Sequence, residues 1–127
     1  MSRTTTIAQM LIRITGILLI ILGLLFWSGH ALGLIGLHML LGLVLVVSLW
    51  VLAGVGARAG VGSGFVGLAI VWGVIVLVLG MTQARLLPGS AHWVIQALHL
   101  LVGLAAMGIG ESLAKRIQAA RTPALQV

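Results

Sequence analysis

Four long runs of apolar residues, separated by short polar or glycine-rich stretches, set the pattern of this chain. They cover residues 7–27, 31–53, 65–82 and 91–110. A helix needs about 20 apolar residues, with a range of about 17–25, to cross the hydrocarbon of a bilayer, and each run meets that length. The breaks carry turn and cap chemistry. Thr6-Ile7-Ala8-Gln9 has the spacing of a capping box at the start of the first helix. Ser28-Gly29 predicts a tight turn, and Pro88-Gly89-Ser90 a second one with Ser90 as an N-cap. Residues 54–64 hold five glycines with Arg58 and Ser63, which predicts a flexible loop. The expected fold is an all-α membrane protein, one up-down bundle of four transmembrane helices spanning the whole chain.

Composition sharpens that reading. The chain has 127 residues, 61% of them hydrophobic and 6% charged, where a soluble domain carries about 25% charge. There are no cysteines, which excludes disulfides, iron–sulfur clusters, c-type haem attachment and thiolate chemistry. Glu111 is the sole acidic residue and stands at the end of the last apolar run. No span therefore has a central carboxylate of the kind that proton-coupled transporters keep in their pathway, and paired-carboxylate hydrolysis is out of reach.

The net charge of +6 flanks the apolar runs, so it speaks for membrane orientation and against nucleic acid. Arg3, Arg13, Arg58, Lys115, Arg116 and Arg121 fall on one side of the predicted bundle, and Arg85 alone falls on the other. The positive-inside rule then puts both termini in the cytoplasm of a cell whose inner or plasma membrane holds the protein. Trp27 and Trp93 would mark the outer interface and Trp50 the inner one, with Trp72 deeper. Arg3 and Arg13 ahead of an apolar core also fit a signal sequence, but no small-x-small cleavage site follows. The first run is therefore read as a span. Arg13 is expected to snorkel to the inner interface or to meet an anionic headgroup.

The chain reads as a tandem repeat. Gly16-Ile17-Leu18-Leu19-Ile20-Ile21-Leu22-Gly23 matches Gly73-Val74-Ile75-Val76-Leu77-Val78-Leu79-Gly80, and Leu37-His38-Met39-Leu40-Leu41-Gly42-Leu43 matches Leu98-His99-Leu100-Leu101-Val102-Gly103-Leu104. Each half is a helical hairpin, and the halves are related by an axis along the membrane normal. The second and fourth helices run parallel and can lie diagonally across the core, bringing His38 and His99 face to face.

An ionisable side chain inside a bilayer is costly and marks a functional site by default. Two histidines at equivalent positions suggest one shared ligand, and a b-type haem held by both imidazoles suits them. Gly42 and Gly103 lie one helical turn after the histidines on the same face, where a side chain would press on the ring. Gly16 with Gly23, and Gly73 with Gly80, repeat at a spacing of seven on one face and would open the wall for a ring edge. Close helix packing accounts for the same glycines, and an interhelical hydrogen bond accounts for either histidine alone. His30 and His92 stand near the outer turns. They are read either as interfacial histidines or, together with Arg85, as partners of haem propionates.

These residues resemble the four-helix membrane b-type cytochromes, which include the bacterial cytochrome b561 family and the haem-binding bundle of the cytochrome bc complex. There too, histidines on the second and fourth helices bind haem iron and glycines line the slot. The resemblance covers roughly residues 7–111. It implies that His38 and His99 are axial ligands and that Gly16, Gly23, Gly42, Gly73, Gly80 and Gly103 line the haem. Members with two haems repeat the ligand on each helix after about four turns. Here His30 and His92 are eight and seven residues from the pair, which is crowded for a second stacked haem, so one haem per chain is expected, with two as the lesser alternative.

A bis-histidine haem has no open coordination position, so its expected work is one-electron transfer, as a membrane oxidoreductase or part of one. Quinol, superoxide or a periplasmic redox partner would exchange the electrons, in a monomer or a homo-oligomer. A four-span transporter, a cofactor-free structural subunit and a haem sensor are the competing readings.

Overall fold

The computed structural model describes residues 2–121. Among these, four long helices form an all-α bundle: α1, Arg3–Trp27; α2, Ile35–Ala59; α3, Ser63–Thr82; and α4, His92–Arg121. Short 3-10 turns, Leu32–Leu34 and Gln83–Arg85, lead into α2 and out of α3. Four helical segments are long and apolar enough to cross a membrane.

Local chemistry sets the ends, in places differently from the expectation. α1 is capped four residues before the predicted capping box. Ser2 is its N-cap, and the Ser2 hydroxyl accepts from the Thr5 backbone N–H at 3.2 Å. Thr6 instead donates its hydroxyl to the Ser2 carbonyl, and Gln9 points to another helix. The Ser28-Gly29 turn forms as expected. Gly29 takes φ +83, and the Ser28 hydroxyl donates to the Leu25 carbonyl.

The predicted loop over residues 54–64 is mostly helix. α2 runs through Gly54 and Gly56 and stops at Gly60, whose φ of +88 lets the Val61 N–H reach back to the Gly56 carbonyl at 2.9 Å. The connection to α3 is only residues 60–62. Gly56 serves packing, since a Cβ there would stand 3.0 Å from Leu113 Cδ1. α4 continues eleven residues beyond its expected end at 110, because Leu113, Ala114 and Ile117 are fully covered by the neighbouring helices. Arg116 lies over the Phe65 ring at 4.1 Å from its centroid.

α1 and α3 each pack on both α2 and α4, and α2 meets α4 across the middle. The two parallel helices that carry the repeated histidines are therefore the close diagonal. The start of α1, the end of α4 and the α2–α3 connection lie at one end of the bundle, called here the terminal end; the other two connections form the turn end. The tightest core is at the terminal end, where Ile12, Leu49, Leu52, Leu113 and Ile117 have no more than 1% of their surface exposed. Outward-facing positions are apolar instead of polar, as at Ile17, Ile21, Val71, Val78 and Leu101. A surface of that kind suits hydrocarbon on all sides.

Tryptophans tie the middle of the bundle. Trp50 Nε1 donates to the Ile70 carbonyl at 3.1 Å and Trp72 Nε1 to the Val102 carbonyl at 3.0 Å. Gly73 makes room for the Trp50 indole: a Cβ there would overlap it and stand 3.1 Å from the fully buried Val46. Gly73→Ala is therefore expected to displace the indole from Ile70 and to lower stability by about 1–3 kcal/mol. Thermal unfolding in detergent checks this, with Gly67→Ala, whose Cβ meets nothing within 4 Å, as the clash-free comparison expected to stabilise slightly.

Candidate functional site

His38 lies in the first turn of α2 and His99 in the third turn of α4. Helix register brings them to one level, with ring centroids 6.2 Å apart and planes tilted by 55°. Each ring leans on a glycine of the preceding helix. A Cβ on Gly23 would stand 3.8 Å from His38 Cε1, and one on Gly80 would stand 3.6 Å from His99 Cε1. The two halves of the repeat thus build the same corner twice: a glycine near the end of one helix faces the imidazole of the next at a distance where a Cβ would make ordinary contact. On the first half, the edge of Phe26 adds a T-shaped contact to His38 at 5.3 Å.

Neither imidazole has a hydrogen-bond partner among the described residues, and both Nδ1 atoms are buried. A buried polar atom left unpaired costs about 1–3 kcal/mol. The hydrogen-bonded histidine expected of a purely structural role is absent here.

The pair faces a cavity of about 400 Å³ in the turn half of the bundle. Its wall includes Gly16, Gly23, Gly42, Gly80 and Gly103, with Met107 toward the terminal end. A Cβ on Gly42 or Gly103 would meet nothing within 4 Å, so these two open directly onto free space. Gly16 borders the cavity while also accommodating Met107, whose side chain a Cβ there would strike. Gly73 packs on Trp50 and is not on the cavity wall. The glycines therefore differ in surroundings: Gly23 and Gly80 face the imidazoles, Gly42 and Gly103 open onto free space, and Gly16 and Gly73 make room for neighbouring side chains.

These features test whether a haem suits the site. With metal–imidazole bonds of about 2.0–2.1 Å and a ring radius of about 1.1 Å, two imidazoles on opposite sides of one ion have centroids about 6.3 Å apart. The observed 6.2 Å matches. No group of three or more His, Cys, Asp or Glu side chains is assembled among the described residues, so the protein offers an ion two ligands here. A bare zinc or similar ion wants three or four from the protein; a porphyrin brings four nitrogens of its own and needs two. The donor set and the open glycine-walled space fit a haem.

His30, His92 and Arg85 do not line the cavity. His30 Nδ1 pairs with the Ser28 hydroxyl at 3.1 Å, and His92 Nδ1 with the Leu86 carbonyl at 2.9 Å. Arg85 is exposed at the end of its 3-10 turn.

Arg13 does not simply snorkel. Its guanidinium clasps Glu111 through both Nε and Nη2, the latter at 2.9 Å, and Gln9 Nε2 donates to the same carboxylate at 2.9 Å. The cluster joins α1 to α4 toward the terminal end and neutralises the chain's one acidic residue. Gln83 and Gln96, in contrast, are on the cavity wall. Gln96 stands out in the sequence by lying on the His92–His99 stripe; Gln83 carries no local signal and is found only by aligning the repeat.

No family model, curated protein or solved structure matches this chain.

Proposed function

We propose that this protein is a membrane-embedded b-type cytochrome that holds one haem between α2 and α4 and transfers single electrons. One observation carries the reading. Two unpartnered imidazoles from equivalent places in the repeat stand 6.2 Å apart beside a glycine-walled cavity. His38 and His99 would be the axial ligands, and the haem would supply a ferric/ferrous couple. The residues of the chain do the rest. Gly23 on α1 and Gly80 on α3 stand beside the Cε1 edges of the two imidazoles. With His38 and His99 both holding the group, no coordination position would be left for oxygen or substrate, and the mostly apolar wall would limit access of water. That saturation favours electron transfer over ligand sensing, and the single imidazole pair favours one haem per chain.

The basic residues collected at the terminal end orient both termini to the cytoplasm, with the haem in the outer half of the inner or plasma membrane. Electron partners reachable from that depth are a quinol, superoxide or a periplasmic protein. Resemblance to the cytochrome b561 family favours quinone-linked transfer.

Protein purified in mild detergent, or supplied with haemin, is expected to show split visible bands and a sharp Soret shift on dithionite reduction. A pyridine haemochrome assay is expected to give about one haem b per chain, and carbon monoxide to leave the reduced spectrum unchanged. A colourless protein that takes up no added haemin overturns the reading; a carbon monoxide complex replaces electron transfer with sensing.

A further inference from the structure

The repeat breaks its own symmetry at the mouth of the cavity. Gly23 pairs with Gly80 in the repeat, so Phe26 corresponds to Gln83; His38 pairs with His99, so Ile35 corresponds to Gln96. All four residues line the cavity. One half thus presents a phenyl ring and an aliphatic chain where the other presents two carboxamides.

The amides share a level. Gly80 lies beside His99, and Gln83 and Gln96 are each three residues, about 4.5 Å at 1.5 Å per residue, further toward the turn end on antiparallel helices. Neither side-chain carboxamide makes a hydrogen bond within the described residues. Two free carboxamides on one side of a wall that is apolar but for the two imidazoles are donors waiting for a partner.

Resting on the haem reading above, we infer that Gln83 and Gln96 receive the carboxylate-bearing edge of the bound porphyrin and so fix which way round the ring enters. Each amide N–H₂ would donate to a propionate oxygen, while Phe26 and Ile35 would face the apolar edge. A hydrogen bond to a charged group is worth more than one between neutral groups, and its value rises away from water. His30, His92 and Arg85, off the cavity wall, are not needed for this contact.

The test compares uptake of iron protoporphyrin IX and its dimethyl ester, whose carboxylates are masked, by the full chain in detergent. Wild-type protein is expected to prefer the free acid. The Gln83→Leu/Gln96→Leu double variant is expected to lose about 10- to 100-fold in free-acid affinity while keeping the ester. Gln83→Glu, an independent variant, sets a carboxylate against the propionates and is expected to reverse the preference. If wild type takes up haem and both variants keep its preference, this inference falls and the haem reading stands. If wild type takes up neither porphyrin, both fall.

Discussion

Replacing His99 with alanine is expected to abolish the low-spin haem spectrum, and His38→Ala to do the same. Each substitution removes one of the two protein donors the cavity offers. Loss of outer-sphere partners of a metal ligand already costs about 10- to 100-fold in affinity, so loss of a ligand itself is expected to exceed that. The fold should survive. The largest fully buried side chains, Ile12, Leu49, Leu52, Leu113 and Ile117, sit at the terminal end, away from the pair, and the imidazoles make no hydrogen bond whose loss would strand a partner. Unfolding of the empty variants should therefore stay close to that of the empty wild type, and millimolar imidazole should restore part of the low-spin spectrum by filling the vacated position. The measurement is a haem titration by visible absorption, with and without imidazole. Wild-type spectra from both variants would remove His38 and His99 as ligands.

Filling the cavity should act in the opposite direction on the empty protein. The Gly42→Leu/Gly103→Leu double variant is expected to cut haem uptake by at least tenfold, at about 1–3 kcal/mol for each overpacked site. Yet a Cβ at either glycine meets nothing within 4 Å, and glycine within a helix is about 1 kcal/mol less favourable than alanine. The empty double variant should thus unfold at a higher temperature than the empty wild type. Gly42→Ala and Gly103→Ala separate the two effects, since a methyl group fits the free space and should stabilise with little change in uptake. Denaturation curves and haem titrations on the same preparations give both numbers. A destabilised empty double variant would mean that these glycines are packing contacts after all.

The parts of this molecule that were legible in its sequence depend on hydrophobic period and on repetition. Apolar length alone marks four spans, and the matched histidine segments place His38 opposite His99, as the 6.2 Å ring separation bears out. What local pattern missed was decided by distant neighbours. Thr6 and Gln9 have capping-box spacing, but Ser2 caps α1 first and Gln9 is drawn to Glu111 on α4. Glycines at 54 and 56 look like a loop until Leu113 is packed against Gly56. The Arg13–Glu111 pair joins residues 98 positions apart, a separation at which only helix register says which side chains meet. Gly16 and Gly73 carry the same spacing signal as Gly23 and Gly80 but admit a methionine and a tryptophan, because a small residue records that something is close without recording what.

The uneven packing of the bundle also bears on how the protein would mature. Its terminal end is sealed by Ile12, Leu49, Leu52, Leu113 and Ile117, contributed by three helices that include the first and the last. That seal can form only once α4 has been inserted, yet none of these five side chains lines the cavity; among the described residues Met107 alone packs on the seal and borders the cavity. The chain can therefore close its scaffold fully while the opposite half still stands ajar. A cofactor delivered after biosynthesis would meet a receptacle already built and would not have to act as a template for assembly.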